Sequence, residues 1–469
     1  MKSKGFRPTT IAELRASGYK VLPVREELRK NLILKMRGGE KLFPDIQGYE
    51  ESVIPHIQNA ILAGQDMVFL GERGQAKTRL MRSLVNLLDA EVPIIAGCEI
   101  NDNPFKPICR GCLRKIEELG ESSVEIAWIP REQRYGEKLA TPDTTIADII
   151  GEVDPIKVAE GRYLADELTI HYGLIPRTNR GIFCINELPD LAERIQVGLF
   201  NILEERDIQI RGYKIRLPLD VYLVASANPE DYTNRGRIIT PLKDRYGAQI
   251  RTHYPRTLED EIAIVEQEHA HFADTDLKVE VPQFMREVIA EITAQARKSA
   301  EISQKSGVSV RVSVANYETM NANAVRRAIR LGDKLAVPRV SDLPYLSAST
   351  VGKIEVETLE EGKEAQLLDK LCRAAVGHVF QRYFRPQEFE DFVERFNTGQ
   401  TFEVGETVPA SEYVARMNQV GGLTEGVKRL AADGSPGVVA SAVEFILEGL
   451  HLSKKLNKDR VKGKAVYRG

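Results

Sequence analysis

Residues 67–88 constrain the fold more than any other stretch. Met67-Val68-Phe69-Leu70 is a short apolar run and reads as a buried strand. Gly71-Glu72-Arg73-Gly74-Gln75-Ala76-Lys77-Thr78 follows it, and Arg79–Leu88 then carries apolar residues at helical spacing. Strand, glycine-bearing turn, Lys-Thr and helix is the order that a phosphate-binding loop needs. In such a loop, backbone N–H groups at the helix start cradle phosphate, aided by the helix dipole. Gly71, Gly74 and Gln75 shape the turn, Lys77 reaches the outer phosphates, and the Thr78 hydroxyl holds Mg²⁺. Ala76 stands where a glycine usually precedes the lysine. A positive φ at that alanine would be strained.

The chain of 469 residues has room for two to four domains. Lys+Arg 65 against Asp+Glu 68 gives a formal charge of -3, so no global field favours nucleic acid or a membrane surface. No run approaches the roughly 20 apolar residues of a membrane span. The basic start Met1–Pro8 has no apolar segment after it and does not read as a secretory signal. Five cysteines are few for this length and argue for a reducing, cytoplasmic setting without a disulfide framework.

Residues 1–40 read as a helical preamble and 51–63 as a helix leading into the first strand. Further buried strands are expected at 92–97, 181–186, 221–227 and 248–252, with helices at 146–150, 164–172 and 191–205, and a hairpin over 207–217. Strands alternating with helices predict an α/β fold with a parallel sheet over 41–255. Beyond it, a helical lid is expected over 256–350 and a further helical region over 351–469, with the acidic run at 357–364 as the boundary. The basic tail Ser453–Lys464 reads as a solvated end.

Binding a nucleotide is one task and hydrolysing it another, which needs a group to position water and support for the metal. Cys184-Ile185-Asn186-Glu187 ends a buried strand and makes Glu187 the candidate for polarising water. Asn186 occupies a position usually held by a metal-supporting aspartate. Asn228, at the next strand end, can hydrogen-bond water or phosphate. Arg245 lies in Leu242–Gly247 and can stabilise transferring charge, with Arg235 and Arg237 as competitors. Cys98, Cys109 and Cys112 lie close together with Asp102 between them and no histidine nearby. Two readings stay open for them: a loop of reduced thiols or a zinc-stapled loop. Cys184 and Cys372 read as core residues.

Taken together, these motifs resemble the AAA+ ATPases of the group that includes MoxR and the small ATPase subunit of magnesium chelatase. The resemblance rests on Phe43-Pro44-Asp45-Ile46-Gln47-Gly48, the Gly-x-x-Gly-x-Ala-Lys-Thr loop, Gly181–Glu187, Leu203-Glu204-Glu205-Arg206, Ala227-Asn228-Pro229 and Leu242–Gly247. It covers about residues 40–335. The loop from Cys98 to Cys112 is similar to a cysteine-bearing insertion in chelatase subunits. The resemblance implies ATP and Mg²⁺ as ligands, Asn228 as sensor 1, and Arg245 as an arginine finger acting on a neighbouring subunit. It also implies Arg311, in Gly307–Ser313, as a sensor 2 contact from the lid, a helix-2 insert at 141–180, and a hairpin before sensor 1 at 207–217. A homo-oligomeric ring, most simply a hexamer, follows from a site split between subunits. A separate partner with a von Willebrand A-type domain and a remodelled client protein are implied as well. Two narrower alternatives remain: a nucleotide-binding scaffold with weak turnover, and a true magnesium chelatase ATPase subunit.

Overall fold

The computed structural model describes residues 7–153, 169–209, 216–228, 236–271, 277–303, 307–355, 363–431, 434–461 and 464–469. The chain divides into two compact units, Met1–His253 and Tyr254–Gly469.

Unit 1 is built on a parallel five-stranded sheet. Its strands are β1 (Met67–Leu70), β2 (Tyr135–Leu139), β3 (Gly181–Asn186), β4 (Val221–Ala227) and β5 (Ala248–Arg251), in the order β5-β1-β4-β3-β2. Every neighbouring pair is parallel. Leu70 sits beside both Ala227 and Arg251, and Leu139 sits beside Asn186. The carboxyl ends of β1, β3 and β4 therefore face one edge, the edge at which parallel α/β sheets bind ligands. Alternation along the strands feeds two cores. Met67, Phe69, Ile182, Cys184, Tyr222 and Val224 pack on one face, and Val68, Phe183, Ile185, Leu223 and Ala225 on the other. Period-2 burial on both faces explains why these strands read as near-continuous apolar runs.

Several expectations for this unit change. The strand expected at 92–97 is Glu91–Ile95, but it pairs antiparallel with Ile126–Pro130 outside the main sheet. The edge place is taken by β2, Tyr-Gly-Glu-Lys-Leu, which has no apolar run because none of its residues is fully buried. The helix expected at 164–172 is replaced, where described, by a strand Ile170–Tyr172 paired antiparallel with Gly151–Val153. The helix expected at 191–205 appears as Glu193–Gly198 and Phe200–Glu204. The hairpin forms between Asp207–Gln209 and Arg216–Pro218. Its tip at 210–215 and the centre of the 141–180 insert, 154–168, lie outside the described residues.

The N-terminal segment is no separate preamble. Helices Val24–Arg37 and Val53–Leu62 place Val24, Leu28, Leu32, Ile57 and Ile61 in the same core as β1 and β3.

Unit 2 is mainly helical, with long helices at Gln283–Lys298, Arg311–Leu331, Lys363–Tyr383 and Pro436–Leu452. One hydrophobic core runs from Val265 to Tyr467. The boundary expected at 350/351 thus falls inside a shared core, and the acidic run that suggested it lies largely outside the described residues, at 357–362. The tail expected to be solvated forms a hairpin instead. Asn457–Val461 pairs with Lys464–Arg468, which pairs in turn with Phe402–Val404. Tyr467 is 1% exposed, so a single aromatic anchors this otherwise basic stretch. Among the described residues, no helix is long and apolar enough to cross a membrane.

Candidate functional site

The loop after β1 turns sharply into a helix. Gly74 has φ 77°, and Ala76 takes the left-handed conformation at φ 54°, ψ 16°. For an alanine that geometry costs about 1 kcal/mol. The helix Lys77–Ser83 starts at the next residue. Gly71 is there for space: a Cβ on it would lie 1.9 Å from Thr252 Oγ1 and 2.2 Å from Gln75 Oε1. Those two atoms belong to a brace. Thr252 Oγ1 donates to Gln75 Oε1 at 2.7 Å, and Glu72 N donates to the same oxygen at 3.0 Å. Tyr49, next to the Phe43–Gly48 motif, donates to Gln75 O and His253 O. Burial pushes its phenol up to about 12, so it stays a donor at neutral pH. The brace ties the loop backbone to the end of β5.

The strand ends converge on Lys77. Its ammonium, almost fully buried, donates to Glu72 O at 2.9 Å, to Gly71 O, and to Asn228 Oδ1 at 2.6 Å. Asn228 Nδ2 donates to Glu187 Oε2 at 2.9 Å. Lys77, Asn228 and Glu187 thus form one hydrogen-bonded chain, drawn from the β1 loop, the end of β4 and the end of β3. Glu187 is itself left-handed, φ 54°, and its N–H donates to Ser226 Oγ.

Thr78 and Asn186 also meet, with Thr78 Oγ1 donating to Asn186 Oδ1 at 3.2 Å. Asn186 Nδ2 donates to Glu137 Oε1 at 2.6 Å. Glu137 lies on β2, which sequence reasoning did not identify as a strand. Arg82 grips Glu137 with two hydrogen bonds of 2.8 and 3.0 Å, and Tyr135 adds a third. Burial pushes the Glu137 carboxyl up, but the Arg82 guanidinium and these hydrogen bonds outweigh it and hold it below the usual carboxylate range. A carboxylate therefore stands one side chain away from the neutral Asn186. No sequence signal marked it, because a short, polar edge strand lacks periodicity.

Arg245 and Arg237 bond to other groups of unit 1. Arg245 pairs with Glu204 at 2.6 Å, donates to Pro241 O, and stacks over Phe200 at 4.7 Å. Arg237 is exposed beside Glu193. Arg235 lies outside the described residues, as does Pro229. Arg311 is the exposed first residue of a helix in unit 2.

The cysteine loop forms a second cluster. Cys98, Asp102, Cys109 and Cys112 each direct one ligand atom so that all four lie within 4.8 Å of one another. Asp102 is fully buried, and Ile108 N and Cys109 N donate to its Oδ2. Burial, followed by the charge of Cys98, pushes Asp102 up to about 6. Cys184 and Cys372 are buried in the two cores, as expected.

These residues fit magnesium-bound ATP. A left-handed residue precedes the helix start, a lysine crosses the loop, and a threonine hydroxyl stands beside Asn186, a set of groups that suits phosphate and a divalent cation. No family model matches the chain. The magnesium-chelatase 38 kDa subunit of Cereibacter sphaeroides is 25% identical over 241 residues, covering 51% of this chain and 66% of that subunit. The chloroplastic magnesium-chelatase subunit ChlI-2 of Arabidopsis thaliana is 27% identical over 230 residues, covering 48% of this chain and 51% of that protein. The chain spans about half to two thirds of the length of these curated relatives. A chain from a cryo-EM complex of the magnesium chelatase subunits BchI and BchD aligns over 72% of this chain and 94% of its own length, at 20% identity and a TM-score of 0.36. In its glycine-bearing loop, its parallel sheet and its sequence, the chain is similar to magnesium-chelatase subunits.

Proposed function

We propose that the chain is an ATP hydrolase that works in a homo-oligomeric ring and uses the nucleotide cycle to remodel or mature a client protein. The observation that carries the hydrolytic part is the hydrogen-bonded chain Lys77–Asn228–Glu187. It sets a carboxylate and an amide in register with the lysine that receives phosphate. In this reading the loop N–H groups and Lys77 bind and orient the phosphates. Thr78, with Asn186 behind it, holds Mg²⁺, which neutralises phosphate charge when bound. Glu187 takes a proton from the attacking water, and Asn228 fixes the angle of that carboxylate. Arg245 serves a neighbouring subunit. It pairs with Glu204 and stacks on Phe200 instead of joining the Lys77–Asn228–Glu187 bonds, which supports a role across an interface. A sensor 2 role for Arg311 is carried by the family resemblance alone. The ring, most simply a hexamer, and a partner with a von Willebrand A-type domain are carried by the family resemblance.

The second reading, a scaffold with weak turnover, is favoured by one observation: the metal-supporting position holds a neutral Asn186. Steady-state hydrolysis separates the two. Wild-type protein is expected to release phosphate from ATP with Mg²⁺, and Glu187→Gln to do so roughly 100-fold more slowly while still binding ATP. Native mass spectrometry of the Glu187→Gln protein with ATP is expected to show a closed ring. Absence of wild-type turnover would leave the scaffold reading.

A further inference from the structure

We infer that Cys98, Asp102, Cys109 and Cys112 form a tetrahedral, structural metal site for zinc, with Asp102 as the fourth ligand. The sequence offered three thiols and no histidine. The fold supplies the missing donor by turning the loop back so that an aspartate faces the thiols.

Four observations bear on it. First, the donor count is complete: three sulfurs and a carboxylate oxygen, all within 4.8 Å of one another. Zinc with sulfur ligands at about 2.3 Å sets neighbouring sulfurs ~3.8 Å apart, so only a small contraction is needed. Second, three of the four ligands are buried, with Cys112 1%, Cys109 8% and Asp102 0% exposed, and Cys98 is half-buried. A buried carboxylate needs a partner for each oxygen. Oδ2 has two, the N–H groups of Ile108 and Cys109, whereas Oδ1 is buried with no hydrogen-bond partner. A metal ion is the partner that an orphaned carboxylate oxygen among thiols fits best. Third, two of the sulfurs already accept backbone hydrogen bonds that support thiolate ligands, Asp102 N to Cys98 Sγ and Cys112 N to Cys109 Sγ, both at 3.3 Å. Fourth, the Cys109-Arg110-Gly111-Cys112 spacing places two ligands on the first turn of the helix Arg110–Leu119, where the dipole favours negative sulfur. The coordination set is closed by protein donors, which makes the site structural and leaves no open position for substrate. It joins the strand Glu91–Ile95 to that helix.

The test uses the full chain purified under reducing conditions without added metal. Elemental analysis is expected to find about one zinc per chain, released when a mercurial titrates the thiols. Cobalt substitution is expected to give a thiolate-to-metal charge-transfer band and the strong visible bands of a tetrahedral ion. Asp102→Asn keeps the side-chain shape and is expected to lose metal to a competing chelator at least tenfold more readily. Cys184→Ser, outside the cluster, is expected to retain it. Should Cys112→Ser fail to fold, the wild-type metal content and the cobalt spectrum still decide. Metal-free wild type with all five thiols titrating, or a Cys109–Cys112 disulfide in place of the ion, overturns the site. Unchanged metal retention in Asp102→Asn overturns the fourth ligand.

Discussion

Asn186 and Glu137 together show how a site can depart from its motif and keep a carboxylate within reach. The amide of Asn186 points one way to Thr78 and the other to Glu137. An aspartate at 186 would face the Glu137 carboxylate across the present 2.6 Å contact and exchange a hydrogen bond for a like-charge pair. Two carboxyls that close cannot both ionise cheaply, so one folded-state pKa rises above its unfolded value. The penalty is then absent at acid pH and grows as pH rises through the unfolded carboxyl range. Asn186→Asp is expected to destabilise unit 1 by about 2 kcal/mol at neutral pH. Melting temperatures of variant and wild type should converge as pH falls through about 4, and Mg²⁺ should narrow the gap at pH 7.5. A gap independent of both pH and Mg²⁺ would mean that the two side chains do not interact. The residues at strand ends, Glu187 and Asn228, were legible because buried apolar strands advertise where they stop. Ala76 was legible as a point of strain, and its backbone is left-handed. Glu137 was not legible, because its partners come from an edge strand and from Arg82, which is 55 residues away.

At the scale of elements, the central strands β1, β3 and β4 could be read directly from their apolar runs, and the edge could not. The edge strand is fixed by contacts that hydropathy does not report. Gly181, the first residue of β3, is one of them. A Cβ there would lie 2.0 Å from Arg134 O and 2.9 Å from Thr178 O, both backbone atoms that have no rotamer to yield. Gly181→Ala is therefore expected to push the segment before β2 away from β3 and cost about 3 kcal/mol in urea unfolding. Because β2 carries Glu137, ATP affinity should also fall. A variant with wild-type stability would show that the backbone there can move freely. In unit 2 the same lesson applies at the tail. A run rich in lysine reads as solvated until a three-stranded sheet and the buried Tyr467 take it into the core.

At the scale of the whole molecule, the sequence suggested four parts and the structure has two units, because cores rather than composition define domains. The N-terminal helix Val24–Arg37 belongs to unit 1 through apolar packing and through one buried ion pair. Glu27 is 3% and Arg134 1% exposed, and they meet bidentately at 2.7 and 2.6 Å. Glu27 also accepts from Asp89 N, and Arg134 donates to Arg180 O, which satisfies most of the remaining polar capacity. Breaking such a pair from one side strands a charge in the interior and costs roughly 3–5 kcal/mol, whereas replacing both partners with apolar residues is often close to neutral. Glu27→Met and Arg134→Met should each lower the urea midpoint strongly, and the double variant should recover at least half of the loss. The recovery would be incomplete because Asp89 N and Arg180 O lose a partner, at about 1 kcal/mol each. If the double variant were as unstable as the worse single one, the attachment of the N-terminal helix would rest on those backbone contacts instead of on the charge pair. If neither single variant were destabilised, apolar packing of Val24, Leu28 and Leu32 alone would hold the helix to the sheet.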